Sequence, residues 1–311
     1  MDRAGDCIED AAAGRAAVSA FQFEAIGTQW EIETGAPLDL ALQERILERI
    51  SVFDATYSRF RADSLVSRIA AAADGGRFDF PDDAISLFDL YDRLHKATGG
   101  AVDPLVGHVL ELLGYDRNYS LMPAPEPVPA AALAGERAIW SRDVMREGAT
   151  LFTKRPLVID VGAAGKGYLV DILAGILREA GHTWFVIDGS GDLRHAGVMG
   201  IRVGLEHPFD PSLVIGVADL KDRALCASAI NRRAWGDGLH HVLDARTGLP
   251  VREVVATWAI ADDAATADGL ATALFFTSGD VLTRDFRFSW VRMFADGRAE
   301  VSRKFEGELF A

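Results

Sequence analysis

Residues 157–181 read LVIDVGAAGKGYLVDILAGILREAG, and the rest of the chain is read outward from them. The apolar run Leu157-Val158-Ile159 halts at Asp160. Gly162, Ala163, Ala164 and Gly165 follow as a turn of small residues, and then a stripe of Leu169, Val170, Leu173, Ile176 and Leu177 runs until Gly181. This pattern predicts a strand, a glycine-rich turn and a helix. Glycine lets backbone approach a ligand, an opening helix presents free N–H groups, and Lys166 adds positive charge, so the turn suits a phosphate. A plain surface lysine is the alternative, although the helix dipole disfavours a cation at that end unless an anion is bound. No Ser or Thr follows Lys166 as in a Walker A loop, and the G-x-G-x-x-G order of a dinucleotide fold is absent.

The 311 residues suffice for one large or two modest domains with a substantial core. A formal charge of −14 argues against nucleic acid or anionic lipid as the main partner. An anionic ligand must then be held by local donors and a metal. The two cysteines, Cys7 and Cys226, do not make a disulfide framework, and Cys226 reads as a small buried hydrophobe. No window is apolar enough to span a membrane. The first 21 residues carry Asp2, Asp6, Glu9 and Asp10 and no apolar core of an export signal, so the expected location is cytoplasmic.

In chain order, residues 1–20 read as a flexible tail and 21–311 as one domain. Phe21 to Glu33 alternates as two strand pieces bent at Gly27-Thr28. Leu38 to Phe53 is an amphipathic helix, 54–60 a loop, and Ser64 caps a helix through Ala70. Another helix opens at Pro81 and ends at Gly99-Gly100. Residues 121–130 form a proline-rich excursion. Trp140 to Phe152 reads as a hairpin. Strands are expected at 184–188, 200–206, 213–218, 224–227, 240–244 and 254–261, an alanine-rich helix at 262–277, and a closing hairpin around Asp296-Gly297. The pattern is α+β: mixed, largely antiparallel sheets with flanking helices.

Seven blocks in order carry a resemblance: AIGT (25–28), YSRFRADS (57–64), AVDPLVGHVLELLGYD (101–116), DVGAAGKGYLVD (160–171), DGSGDLRHAG (188–197), HHVLDARTGLPV (240–251) and ADGLATAL (267–274). Together they resemble the ApbE family, the FAD:protein FMN transferases. The resemblance implies a T-fold-like ApbE core, FAD as donor substrate and Mg²⁺ as the metal. It implies transfer of FMN to a Ser or Thr hydroxyl of an acceptor protein with release of AMP. The rival readings are an FAD pyrophosphatase giving FMN and AMP, and a flavin-binding carrier without catalysis.

The same resemblance implies the site. Asp268 and Thr272, four apart on one helix face, and the Ala163 carbonyl would hold the metal. Read without it, Asp268 and Thr272 are a solvated helix face. His241 is the expected base for the acceptor hydroxyl, and only one of His240 and His241 can serve on a strand. Ile26, Phe60, Ala101, Val102, Asp103, Asp160 and Lys166 match nucleotide-contacting positions, with Phe60 keeping a ring where the family has Tyr. Asp160 also reads as a helix-side cap, Asp103 as an N-cap before Pro104, and Asp244 as either a turn cap or an orienter of His241. The segment ASAINRRAW (227–235) departs from the family's T-S-G-D-Y, and Asn231, Arg232 and Arg233 add donors there.

Overall fold

The structure, a computed structural model, describes residues 18–123 and 137–310. Most of the expected tail (1–17) and most of the proline-rich excursion (124–130) lie outside the described residues. The chain runs through β1 (Ser19–Ala25), β2 (Thr28–Thr34), α1 (Leu40–Tyr57), α2 (Leu65–Ala71), β3 (Gly76–Asp79) and α3 (Ala84–Ala97). A 3-10 turn (Pro104–Val106) leads into α4 (Gly107–Leu112). From residue 137 come α5 (Trp140–Asp143), β4 (Met145–Glu147), β5 (Thr150–Thr153), α6 (Gly165–Glu179), β6 (Phe185–Asp188), β7 (Asp192–Ala196), β8 (Ile201–His207), β9 (Asp210–Leu220) and β10 (Ala224–Ala229). Two short pairs follow, β11 (Ala234–Trp235) with β12 (Leu239–His240), and β13 (Leu243–Asp244) with β14 (Leu249–Pro250). The last elements are β15 (Val254–Ala261), α7 (Ala264–Ala273), α8 (Gly279–Leu282), β16 (Ser289–Phe294), β17 (Ala299–Val301) and β18 (Gly307–Leu309).

The framework is an eight-stranded sheet in the order β1-β2-β6-β7-β10-β15-β16-β17, with every pairing antiparallel. Helices α1, α3, α6 and α7 cover one face, and the small sheet β18-β9-β8 covers the other. A strand between two layers must be apolar on both sides. All eight residues of β15 are accordingly buried, with Ala259 and Ala261 toward the helices and Trp258 and Ile260 toward the small sheet. The α+β reading of the sequence therefore holds, and Cys226 is a buried free thiol in the helix-side core.

Local chemistry explains the elements. Ile26 (φ +45°) and Gly27 (φ +75°) both take left-handed backbone, the conformation of the two-residue hairpin turn that suits twisted strands. Asp39 caps α1 by accepting from Leu42 N at 2.8 Å, and Leu42, Ile46, Ile50 and Phe53 bury its stripe. The helix runs on through Tyr57, past the expected loop start at Asp54, because Thr56 and Tyr57 continue the buried face. Ser64 caps α2 as expected, accepting from Ser67 N at 3.1 Å.

Three further expectations are corrected. Residues 157–161 form no strand: the segment lies against the Pro104–Gly107 turn, where Asp160 N donates to Pro104 O at 2.7 Å. The expected strand 240–244 is broken between His240 and Leu243. Trp140–Asp143 is a helical turn, so the hairpin is confined to β4 and β5.

Helices α6 and α7 cross at Gly167. A Cβ there would sit 2.1 Å from the Ala264 carbonyl oxygen and 2.7 Å from Asp268 Cβ. The glycine of the Lys166-Gly167 pair thus serves helix packing. Asp171, one turn later, caps α7 by accepting from Ala264 N (2.9 Å) and Ala265 N (2.8 Å).

Candidate functional site

Antiparallel pairing brings several turns to one end of the large sheet. Glu31 pairs with Asp188 and Trp30 packs on Gly189, so the Ile26–Gly27 turn and the Ser190–Gly191 turn emerge together. Cys226 pairs with Asp192 and Ala227 N donates to Gly191 O, so β10 exits at this end into the Ile230–Arg233 turn. Ser190 holds left-handed backbone at φ +61° without being glycine, a local strain of the kind that collects at functional sites. Lys166 bridges the α6 N-terminus to this turn: Nζ donates to Ser190 O at 2.9 Å and lies 3.4 Å from Asp192 Oδ2.

The three expected metal ligands are brought together. Thr272 Oγ1 lies 3.3 Å from the Ala163 carbonyl oxygen, and Asp268 is one turn earlier on the same helix. Asp268 is buried and its Oδ2 accepts from Gly167 N at 3.0 Å. Burial, then the neighbouring Asp192 carboxylate, pushes Asp268 well above the usual carboxylate range. Burial pushes Asp192 up as well, while Lys166 opposes it. Two buried acids with a single close ammonium leave this corner short of positive charge. Among the described residues no three His, Cys, Asp or Glu side chains cluster around a metal position. An ion here would therefore rely on one or two carboxylates plus carbonyl, hydroxyl and substrate oxygens, the donor set that Mg²⁺ accepts. Beneath the turn, the buried Tyr91 hydroxyl lies against the Ala163–Ala164 backbone and near Asp160 and Asp268.

The second wall is built on Asp160. Its Oδ1 accepts from Gly162 N at 2.7 Å and its Oδ2 from Arg59 Nε at 2.6 Å. Burial would raise its pKa, but the Arg59 charge and hydrogen bond override that and hold the carboxyl below its usual range. Asp160 thus caps its own turn and fixes an arginine. Phe60 stacks with Tyr119 (centroids 4.7 Å apart) and meets Tyr115 edge-on, and Tyr115 stacks with Trp235.

The two histidines differ, although His241 lies just past the end of β12 and not on a continuous strand. His240 is buried with both ring nitrogens bonded: Nδ1 accepts from Val242 N at 3.3 Å and Nε2 lies 2.8 Å from Val251 O. His241 leaves its buried Nδ1 without a partner. Burial, then the Arg233 guanidinium, pushes its pKa down to about 4, while Asp160 partly opposes this. Asp244 is a turn cap: it accepts from Arg246 N and pairs with the Arg246 side chain, and it does not orient His241.

Ala101, Val102 and Asp103 are buried and bonded within the fold. Ala101 O accepts from Ala245 N, Val102 N donates to Thr98 Oγ1, and Asp103 accepts from Leu105 N and Trp140 N. The segment joins the site through Pro104, whose carbonyl holds Asp160 N. Ile26 shares the sheet end but makes no hydrogen bond to the other candidates. Arg59, Asp192 and Tyr91 were not singled out from the sequence. Arg59 and Asp192 lie inside quoted blocks, where charged residues between aromatic or glycine neighbours were the available signal. Nothing distinguishes Tyr91 from a core residue of its helix.

Known proteins share this arrangement of elements. The model of the ApbE family matches residues 26–283. A Vibrio cholerae protein named FAD:protein FMN transferase is 30% identical over 243 residues, covering 74% of this chain and 71% of its own. A Klebsiella pneumoniae protein of the same name is 25% identical, covering 75% and 70%. The ApbE protein of Thermotoga maritima superposes with a TM-score of 0.79 at 26% identity, over 92% of this chain and 97% of that one. The flavin transferase ApbE of Vibrio cholerae gives 0.79 at 24% identity, over 93% and 98%. The chain belongs to the ApbE family.

Proposed function

We propose that the chain transfers FMN from FAD to a Ser or Thr hydroxyl of an acceptor protein, releases AMP, and uses Mg²⁺. The observation that carries this reading is the turn after Asp160, whose Ala163 carbonyl lies against Thr272 on the helix of the buried Asp268, while Asp160 itself acts on the ring of His241, a histidine with an unpartnered nitrogen. It is supported by relatives named FAD:protein FMN transferase over about three-quarters of the chain.

The Ala163 carbonyl, Asp268 and Thr272 would hold Mg²⁺, and a cation there would offset the burial and mutual repulsion that push Asp268 and Asp192 toward their neutral forms. When bound, Mg²⁺ supplies positive charge against the pyrophosphate oxygens. The turn N–H groups and Lys166 orient the phosphates. At neutral pH His241 is uncharged, the form that accepts a proton. Its imidazole takes the proton of the acceptor hydroxyl, the hydroxyl oxygen bonds to the FMN phosphorus, and the bond to the AMP oxygen breaks. The departing AMP phosphate keeps the electron pair.

Transfer assays on variants test the roles. Asp268→Ala and His241→Ala are expected to abolish transfer, and His241→Ala to retain FAD binding in equilibrium dialysis. Wild-type transfer by either variant sinks the assignment.

A further inference from the structure

Arg59 is the charged group that the site leaves least satisfied. It is 4% exposed. Its Nε–H is fixed on Asp160, but Nη1 and Nη2 are buried with no hydrogen-bond partner. Glu111 Oε1 stands 4.0 Å from Nη1, beyond hydrogen-bond reach. Burying a guanidinium with two nitrogens unpaired is costly, so the position calls for an acceptor that arrives from outside the chain.

The surroundings say what kind. The guanidinium carbon lies 4.3 Å from the Phe60 ring centroid and 4.9 Å from that of Tyr115. Trp235 backs Tyr115, and Tyr119 lies on Phe60 at 4.7 Å. Tyr119 is 50% exposed, so it is the ring free to swing away and open this group. An anion is a poor match, because the ionised Asp160 beside Arg59 repels it and Lys166 and the glycine turn already offer phosphate donors. Arg59 and Asp160 together form a neutral pair that sets a donor fork next to an acceptor, among aromatic faces.

We infer that Arg59 is a ligand-recognition residue: with Asp160 it reads the edge of a planar nitrogen heterocycle that slides among Phe60, Tyr115 and Tyr119. The inference rests on the proposed FAD substrate, which carries two such rings. Adenine and isoalloxazine each place a ring acceptor beside an N–H donor, and each stacks on aromatic side chains. Arg59 then sets affinity for one ring while the glycine turn handles the phosphates.

Calorimetric titration of the full chain with FAD, AMP, FMN and inorganic pyrophosphate tests this, in wild type, Arg59→Met and Arg59→Lys. Both variants should weaken FAD by roughly tenfold or more, because lysine keeps the charge but loses the fork. One of AMP and FMN should weaken by a similar factor, which identifies the ring, while pyrophosphate and the other mononucleotide are unchanged. Should Arg59→Met fail to fold, Arg59→Lys alone decides. Unchanged FAD affinity in the variants overturns the inference, as does an equal loss for both mononucleotides or a loss for pyrophosphate. Wild type that binds AMP or FMN with the Arg59 effect intact, but not FAD, removes the FAD reading and leaves the inference standing. Wild type that binds none of the three nucleotides removes both.

Discussion

Replacing Gly167 by alanine tests how the fold delivers Asp268 to the site. Helices α6 and α7 touch where a Cβ would stand 2.1 Å from the Ala264 carbonyl oxygen and 2.7 Å from Asp268 Cβ. Both obstacles are at or next to backbone, so no rotamer change relieves them. The helices must part by about 1 Å, and overpacking of this kind costs about 3 kcal/mol. The same substitution at Gly175 in the same helix meets nothing within 4 Å. There alanine only improves helix propensity, a gain of about 0.5–1 kcal/mol. Urea titrations followed by circular dichroism should therefore move the two midpoints in opposite directions, with Gly167→Ala falling. Equal midpoints for the two variants, or a Gly167→Ala variant as stable as wild type, refute the close-approach account.

His241, held at about 4 against an ordinary value near 6.5, is protonated more readily when unfolded. Its stabilisation is present above pH 6.5 and lost as pH falls through about 4, up to about 3 kcal/mol. Urea midpoints at pH 7 and pH 4.5 should show a smaller difference in His241→Gln than in wild type. Arg233→Ala removes a charge that depresses this histidine, so the His241 titration followed by NMR should move upward; no movement contradicts the coupling. Asp171→Ala strips the two bonds that cap α7 and should lower stability by about 2 kcal/mol in the same urea assay, with wild-type stability counting against the cap. Thr272→Ala should weaken Mg²⁺ binding, read as the cation-dependent shift in melting temperature, and an unchanged shift removes Thr272 from the ligand set.

Much of the helix layer was legible because apolar residues at helical spacing bury one face, as in Leu42, Ile46, Ile50 and Phe53. Strands β1 and β2 were legible from alternation and a glycine bend, placed one residue late at Gly27-Thr28, and β15 from its apolar run, whereas β7, Asp192–Ala196, carries no such signal. Leu157–Ile159 misled because an apolar run reads as a strand whether or not a neighbour completes its ladder, and Pro104 offers one carbonyl rather than a strand. The helix end at Tyr57 was missed because Asp54 and Thr56 look like loop residues until tertiary burial is known. At the site, the nearness of Ala163 to Thr272 follows from a four-residue spacing plus a crossing that Gly167 permits. Arg59 escaped notice because its partner Asp160 lies 101 residues away, and a long-range ion pair leaves no local period. Asp192 and Tyr91 escaped for the same reason: their meaning comes from neighbours supplied by other elements.

The central claim is tested most directly by incubating the chain with FAD, Mg²⁺ and a set of Ser- and Thr-bearing peptides, then weighing the peptides and assaying AMP. The account predicts a peptide carrying FMN through its hydroxyl, with one AMP released per FMN attached and none without peptide. AMP released equally without peptide would make the chain an FAD pyrophosphatase. No AMP under either condition, with FAD still bound, would make it a carrier. Either result contradicts the account.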